Sequence, residues 1–326
     1  MPRLTAMDEL FVHQIPEPLP NVATDHEHWR ESVFFIVHPP EGLGDVIILT
    51  VAHFPKRQVM DALQLGRIGG VPTIARHERD YGDDPHTMVV GPVRVDVVEP
   101  FRTIELHVDD APGSALGLDL TFTARTQPYG LRRGTLKFGQ EIIWDQSHMV
   151  QSGTFRGTVT HGGTPIVIDD WWGQRDHSWG IRDHARVPLW MWLAVQFPEG
   201  MFSVWHWEQA NGARVYTDGC FAPAGDEPPI PVVDFRHELH WVDAGGNAVD
   251  YGRDGDDVFG VAGRVELTLE GGRTVSLEAQ GRWAQRYGPL GGGLNEVVVR
   301  SSDGWEGTAI YELTGAHHHR YFPVAR

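Results

Sequence analysis

Hydrophobic and polar positions alternate along much of the chain, and glycine- or proline-rich turns separate the alternating segments. Val93, Val95 and Val97, for example, alternate with Arg94 and Asp96. A period of two is typical of a β-strand that buries one face. The sequence shows no sustained helical periodicity, so the pattern predicts an all-β protein made of many short strands.

The clearest pair of predicted strands covers 189–197 and 201–209, joined by a connection of hairpin length at Pro198-Glu199-Gly200. Segment 60–65 is ambiguous and also fits a short helix. The other predicted strands cover 32–38, 45–53, 93–98, 102–108, 118–125, 153–160, 165–169, 214–219, 235–242, 263–269, 274–280, 295–300 and 305–313. This number of strands is compatible with two barrels or sandwiches.

Charge and composition restrict the classes of molecule that this chain can bind and the compartment that suits it. The formal net charge of -17 argues against nucleic acid and anionic membrane surfaces, which would repel it. Cys220 is the single cysteine, so no intramolecular disulfide forms and a reducing compartment suits the chain. We find no secretory signal pattern and no apolar run of bilayer length. We therefore expect a soluble cytoplasmic protein, whose oligomeric state the sequence does not specify.

Aromatic and ionisable residues are concentrated in segment 169–183, which we call the central run. It contains three tryptophans, four aspartates, two arginines and one histidine, His177. Tryptophan anchors cores and binding surfaces, and carboxylates beside such rings are prone to shifted pKa values. The run is therefore the first candidate for a functional site.

Two parts of this run, Asp170-Trp171-Trp172-Gly173 and Arg175-Asp176-His177-Ser178-Trp179-Gly180, resemble the signature of the carotenoid 1,2-hydratase superfamily. That superfamily includes hydroxyneurosporene synthase, tocopherol-cyclase-like proteins, fungal Diels–Alderases and many uncharacterised bacterial proteins, which this chain resembles most. The resemblance implies two tandem lipocalin-like β-domains, which we predict at 1–174 and 175–326. It also implies metal-free, redox-free chemistry on apolar unsaturated substrates: hydration, cyclisation or isomerisation.

The resemblance implies that His177 and Trp179 are residues of the functional site. The related hydratases also use a Tyr-x-Asp pair on a downstream strand, and the corresponding segment here is 204–208, with His206 and Glu208. The tyrosine and the aspartate are therefore replaced. A histidine is a milder acid, better suited to enolisation, to carbonyl activation or to moving a proton between heteroatoms.

We predict that His177 and His206 transfer protons, with Asp176 and Glu208 as orienting groups or alternative acids. Indole faces stabilise a nearby positive charge by ~1–2 kcal/mol each when desolvated. The predicted substrate-binding residues are Trp172, Trp179, Trp190, Trp192, Trp205 and Trp207.

Structural roles are the alternatives. Trp179 with Arg182 can close a barrel, and the aspartates of the central run can cap turns or pair with its arginines. His206 and Glu208 share one strand face with Phe202 and Val204. The other face holds two tryptophans, and alternation alone does not say which side lines a pocket.

Metal binding has little support in the sequence despite its 18 histidines. His26 and His28 share one side of a strand without a third ligand, and His237 and His240 would face opposite sides. We therefore expect no metal and no cofactor. The rival to the enzyme hypothesis is a lipocalin-like carrier that binds an apolar molecule without turnover. A carrier needs mostly apolar walls, whereas a proton-transfer enzyme needs a buried acid or base.

Overall fold

The computed structural model describes residue 9 and residues 22–81, 87–186, 189–250, 257–286 and 292–315. A 3₁₀ turn at Pro55–Arg57 joins the second strand to the third. The strands are β1 (Trp29–Val37), β2 (Val46–Phe54), β3 (Val59–Ile68), β4 (Val71–Asp80), β5 (Val89–Val90), β6 (Val93–Glu99), β7 (Thr103–Val108), β8 (Gly117–Ala124), β9 (Tyr129–Gly130), β10 (Gly134–Phe138), β11 (Glu141–His161), β12 (Thr164–Arg182), β13 (Leu189–Phe197), β14 (Gly200–Glu208), β15 (Arg214–Pro223), β16 (Ile230–His237), β17 (His240–Val242), β18 (Gly260–Leu269), β19 (Thr274–Arg286), β20 (Gly293–Ser301) and β21 (Glu306–Thr314).

The chain divides into two compact units. Unit 1 comprises residues 1–39 and 45–185, and unit 2 comprises residues 40–44 and 186–326. The division between 185 and 186 lies after the boundary that we predicted between 174 and 175. The reason is that β12 continues without a break to Arg182, so the central run belongs to a strand of unit 1.

Unit 1 is one antiparallel sheet in the order β4-β3-β2-β1-β12-β11-β8-β7-β6-β5, and β9 and β10 also pair with β11. Alternate side chains of its strands face a common core, which includes Val33 and Phe35 from β1 and Leu49 and Val51 from β2. These residues have the period of two that the sequence shows, because successive side chains of a strand point to opposite faces.

Unit 2 is a second antiparallel sheet in the order β16-β15-β14-β13-β21-β20-β19-β18-β17, and pairing of β16 with β18 closes it. Closure removes exposed strand edges, which would otherwise pair with other chains. The enclosed core includes Leu193 of β13, Phe202 and Val204 of β14, and Trp241 of β17. The prediction of an all-β protein with two tandem lipocalin-like barrels is confirmed.

The hairpin predicted at 189–197 and 201–209 is confirmed as β13 and β14, with Phe197 paired to Gly200. The helical option for 60–65 is wrong, since this segment is the middle of β3 and pairs with both β2 and β4. Sheet pairing on both sides overrides a weak local preference. Within the described residues, no helix has the length and apolar character needed to cross a membrane.

Candidate functional site

The central run lies on β12, between β1 and β11. We expected strands on either side of this run, but most of the run is itself strand. Its side chains therefore alternate between two faces. Arg175, His177 and Trp179 belong to the face turned toward the core of unit 1, whereas Asp176 and Ser178 belong to the opposite face.

His177 is held in a buried cluster by Glu31 of β1. Nε2 of His177 donates to Oε1 of Glu31 at 2.9 Å, and Nε2 of His53 donates to Oε2 of the same carboxylate at 3.0 Å. The Tyr81 hydroxyl lies 2.8 Å from Nδ1 of His53 and donates to it in this tautomer. Glu31, His53, His177 and Tyr81 are each no more than 4% exposed. One carboxylate thus orients two imidazoles inside unit 1.

Aromatic rings flank both imidazoles of this cluster. The Trp179 ring lies 5.5 Å from the His177 ring at an interplanar angle of 76°. The Trp29 ring meets His53 edge-on at 6.0 Å. Burial, followed by the negative charge of Glu31, raises the pKa of the Tyr81 hydroxyl. Tyr81 therefore remains a neutral hydrogen-bond donor at physiological pH.

Arg175 has a structural role in the central run. Its guanidinium binds both carboxylate oxygens of Glu9, at 2.7 and 2.8 Å, and also binds Oε1 of Gln151. Oε2 of Glu9 in turn accepts from the backbone N–H of Phe101 at 2.7 Å. Removing one partner of such a bidentate, buried ion pair leaves the other charge buried without a counterion, which destabilises the fold.

Asp176 lies on the opposite face of β12 from His177 and is 6% exposed. Burial raises the pKa of Asp176 to about 7, against the attraction of Arg182 and Arg30. Arg182 donates to the Ser178 hydroxyl at 3.0 Å, and Nε2 of His148 lies 3.9 Å from Asp176. Asp176 and His177 are neighbours in sequence but do not face the same side. Trp179 and Arg182 also alternate to opposite sides of β12.

In unit 2, His206 and Glu208 face the barrel core, together with Phe202 and Val204. Nε2 of His206 lies 2.8 Å from Oε1 of Glu208, and Nδ1 of His206 lies 2.6 Å from the Thr217 hydroxyl. Burial lowers the pKa of His206, against the hydrogen bond and the negative charge of Glu208. His237, which the sequence analysis had set aside as a metal ligand, joins the pair, since its Nε2 lies 3.4 Å from the same Oε1.

Four of the predicted substrate-binding tryptophans form a buried aromatic group on the face of β13 and β14 opposite to His206. Trp192 and Trp205 are stacked, with ring centroids 5.4 Å apart and planes at 8°. Trp190 packs edge-on against Trp205, and Trp207 packs on Tyr216. Within unit 2, these tryptophans and the His206–Glu208 pair therefore face different sides of the sheet.

Trp172 lies apart from both clusters. It exchanges two backbone hydrogen bonds of 2.9 Å with His38, and the Arg125 guanidinium lies 4.8 Å from its ring centroid. Its indole is half-buried on the same face of β12 as Asp176. A cation over a tryptophan face is a stabilising contact in its own right.

The structure thus divides the predicted catalytic residues between the units. His177 and Asp176 belong to unit 1, and His206 and Glu208 belong to unit 2. A surface cleft of about 590 Å³ on unit 2, lined by residues such as Val242 and Phe259, contains none of them.

Sequence reasoning missed Glu31, His53 and Tyr81, and it rejected His237 as a metal ligand because His240 was expected on the other side of the strand. Two of them carry a recognisable signal. Glu31 continues the apolar face of β1 that holds Val33, and His53 continues the corresponding face of β2. An ionisable residue on a face that is otherwise apolar is a marker of a buried polar site. His237 and Tyr81 carry no such signal, because their partners lie on distant strands.

Solved structures show the same fold at low sequence identity. A protein described as an AttH from Nitrosomonas europaea has 13% identity and a TM-score of 0.61, with 92% of this chain and 98% of that chain covered. Kievitone hydratase from Nectria haematococca has 13% identity and a TM-score of 0.54, with 87% and 88% covered. CghA with Sch210972 has 14% identity and a TM-score of 0.52, with 88% of each chain covered. At these identities the likeness is one of fold, and it matches the fold that the resemblance to the carotenoid 1,2-hydratase superfamily implied.

Among curated proteins, no sequence matches this chain. Its sequence does match one protein family, over residues 4–281 and hence over most of its length. The chain belongs to the family of unknown function DUF8625.

Proposed function

We propose that this protein is an enzyme that transfers protons to and from an apolar, unsaturated small molecule, with His177 as the catalytic residue. The observation that carries the proposal is the buried cluster in which Glu31 orients the imidazoles of His177 and His53. A carrier for an apolar ligand needs no such set of ionisable groups, and burying them is costly. The substrate class that we propose is terpenoid-, steroid- or polyketide-like.

The proposed step requires only an imidazole. Nε2 of His177 donates to Glu31, so Nδ1 is the atom that exchanges a proton with the substrate, and the cycle starts with this nitrogen protonated. The imidazolium gives this proton to a carbon of a C=C bond that carries an electron-donating substituent, because so mild an acid does not protonate an unactivated alkene, and a stabilised cation forms. Water then adds and loses a proton to Nδ1, which gives net hydration. Attack by an internal nucleophile gives cyclisation, and loss of a proton from another carbon gives isomerisation.

Glu31 stabilises the positive charge that His177 carries during this cycle. His53 donates to the second oxygen of the carboxylate, and Tyr81 fixes the tautomer of His53. We assign positioning roles to these three residues. The face of Trp179 stabilises a cation in the substrate, since the indole lies against His177 and is half-buried.

The fold shared with kievitone hydratase supports a hydratase-type activity, because that neighbour is named for one. Fold alone does not fix function, so the proposal depends on the buried cluster. The step assigns no role to Asp176, His206, Glu208 or the tryptophans other than Trp179, and these site residues stay predictions of the sequence. We place the enzyme in the cytoplasm, which suits a chain whose only cysteine, Cys220, is a buried free thiol.

The test is a turnover screen by mass spectrometry against terpenoids, steroids and polyketide-like polyenes. We expect wild-type protein to produce a species that has gained one water or changed isomer. His177→Gln should reduce this turnover by about 100-fold or more, since general acid–base catalysis contributes about 10²–10⁴-fold. His38→Gln is the matched control, because it also removes a buried neutral histidine of unit 1 but lies outside the cluster.

Two results would count against the proposal. Equal turnover in wild type and in a folded His177→Gln variant would remove the catalytic role of this histidine. Tight retention of an unchanged ligand by wild type and both variants would identify the protein as a carrier.

A further inference from the structure

Three potential metal ligands converge in the core of unit 2. His206 and Glu208 lie two positions apart on β14, so they share its inner face. His237 is the last residue of β16, and β15 lies between β16 and β14 in the sheet. One donor atom from each of the three side chains can be chosen so that all lie within 4.8 Å of one another. All three residues are buried, with exposures of 1% for His206, 7% for Glu208 and 6% for His237.

The distances between the donor atoms are close to those found around a coordinated metal ion. Oε1 of Glu208 lies 2.8 Å from Nε2 of His206 and 3.4 Å from Nε2 of His237. Ligand bonds of about 2.0–2.1 Å at tetrahedral angles place donor atoms about 3.4 Å apart. Both imidazoles thus present the same nitrogen to the same carboxylate oxygen, which is the arrangement that a shared cation needs.

We propose that His206, Glu208 and His237 bind a divalent transition-metal ion. Two imidazoles and one carboxylate suit Zn²⁺ or Fe²⁺ and do not suit Mg²⁺ or Ca²⁺, which require mostly oxygen ligands. Three protein ligands leave a coordination position for water or for an exogenous group. The inference goes beyond the proposed function, because it concerns unit 2 and uses no residue of the His177 cluster.

A second layer of contacts supports the ligand set. Nδ1 of His206 lies 2.6 Å from the Thr217 hydroxyl, whose oxygen accepts a hydrogen bond from the Nδ1–H when Nε2 binds a metal. Phe235 covers both imidazoles, with ring centroids 4.4 Å from His206 and 5.8 Å from His237. An apolar cover of this kind excludes water and strengthens the attraction between a carboxylate and a cation.

Two neighbouring groups, the guanidinium of Arg214 and the backbone N–H of Leu239, make metal binding less favourable. Arg214 is the nearby positive charge that acts on His206, but its guanidinium donates to Asp234 at 2.7 Å and to the Phe235 carbonyl at 2.6 Å. The Leu239 N–H points to Nδ1 of His237 at 3.4 Å. Binding through Nε2 places a proton on this Nδ1, so the long contact is lost. The amide resonance of Leu239 is therefore a specific reporter of metal binding.

The test uses the full-length protein after treatment with EDTA. Calorimetric titration with Zn²⁺ should show one tight site, and Co²⁺ should give the intense visible absorption of a four-coordinate complex. His237→Gln should weaken Zn²⁺ binding by more than about 100-fold, since loss of an outer contact alone costs about 10–100-fold. Thr217→Val leaves all three ligands in place and should weaken binding by about 10–100-fold, so the test survives if a ligand variant fails to fold.

The chain also offers controls for adventitious binding. Asp96, Glu105 and His107 form a half-exposed group in unit 1 with comparable spacing, and His107→Gln should leave the tight site unchanged. In all proteins tested, His317, His318 and His319 are replaced by alanine, so that these three histidines do not bind metal. Absence of a stoichiometric site in that background would overturn the proposal. An affinity equal to that of wild type in folded His237→Gln and Thr217→Val would also overturn it. Neither outcome involves turnover, so the metal site and the proposed function can fail independently.

Discussion

Glu31 of β1 and His177 of β12 lie diagonally on neighbouring strands, since Glu31 pairs with Trp179 and Val33 pairs with His177, and their side chains form a buried hydrogen bond of 2.9 Å. The second oxygen of Glu31 accepts from His53 at 3.0 Å, so one carboxylate serves two imidazoles. With no more than 1% exposure at any of the three residues, water cannot replace a lost partner. This relationship makes Glu31 the most sensitive single position of the cluster.

Replacing Glu31 by glutamine should therefore destabilise the protein. The amide keeps the shape of the side chain but has one accepting oxygen, so one imidazole N–H loses its acceptor. We expect the free energy of unfolding to fall by about 1–3 kcal/mol, measured by urea denaturation. The control is Glu105→Gln in a more exposed His–Glu pair of the same unit, in which Oε2 of Glu105 lies 3.4 Å from Nε2 of His107. This substitution should change the free energy of unfolding by less than about 1 kcal/mol. Equal effects of the two substitutions would contradict the structural role of Glu31.

Asp176 should make stability depend on pH near neutrality. Burial raises its pKa to about 7 in the folded protein, from an ordinary value of 3.8. The folded state therefore holds the proton to higher pH than the unfolded state. The resulting stability is complete below the ordinary pKa and is lost as pH rises through about 7. Between about pH 5 and 8, wild type should lose on the order of 2 kcal/mol more than Asp176→Asn.

The measurement for Asp176 is urea denaturation of both proteins across this range of pH. Near pH 5 the protonated carboxyl and the asparagine amide are both neutral, so the comparison there isolates the effect of the substitution itself. Parallel stability curves for the two proteins would show that Asp176 does not titrate in this range.

The buried ion pair between Arg175 and Glu9 should stabilise unit 1. Removing either partner leaves a buried charge without its counterion, which costs about 3–5 kcal/mol. We expect Arg175→Met and Glu9→Gln each to destabilise the protein by this amount, and the double variant by clearly less than the sum. Urea denaturation of the four proteins gives the coupling free energy. Strict additivity would mean that the bidentate contact does not contribute to stability.

Gly173 of the central run should tolerate no side chain. A Cβ atom at this position would lie 2.0 Å from the Ile36 carbonyl oxygen and 2.5 Å from the Phe155 ring. Relief requires a shift of β1 away from β12, and we expect Gly173→Ala to cost about 3 kcal/mol in unfolding free energy. Gly139 has φ +64° and no atom near its Cβ position, so Gly139→Ala meets only backbone strain of about 1–2 kcal/mol. A smaller thermal shift for Gly173→Ala than for Gly139→Ala would contradict this account.

The sequence alone determined the all-β class and the most regular hairpin. Alternation on β13 and β14 is local and strict, so the sequence shows which residues of each strand share a face. The pairing of Trp192 with Trp205 required the structure, because the connection is Pro198-Glu199 and the predicted turn at 198–200 would have paired Trp192 with His206. The central run could also be identified, because its composition is unusual. The extent of β12 could not, since pairing with both β1 and β11 carries the strand through a segment with little apolar alternation.

The sites were decided only by the tertiary structure. His177 and Asp176 are adjacent in sequence, yet the pleat of β12 sends them to opposite faces, and no composition argument selects the face. Glu31 reaches His177, and His237 reaches Glu208, because sheet order brings distant strands together. A period of two specifies which residues share a face of one strand. It does not specify which strands are neighbours, and that information depends on the closure of each barrel.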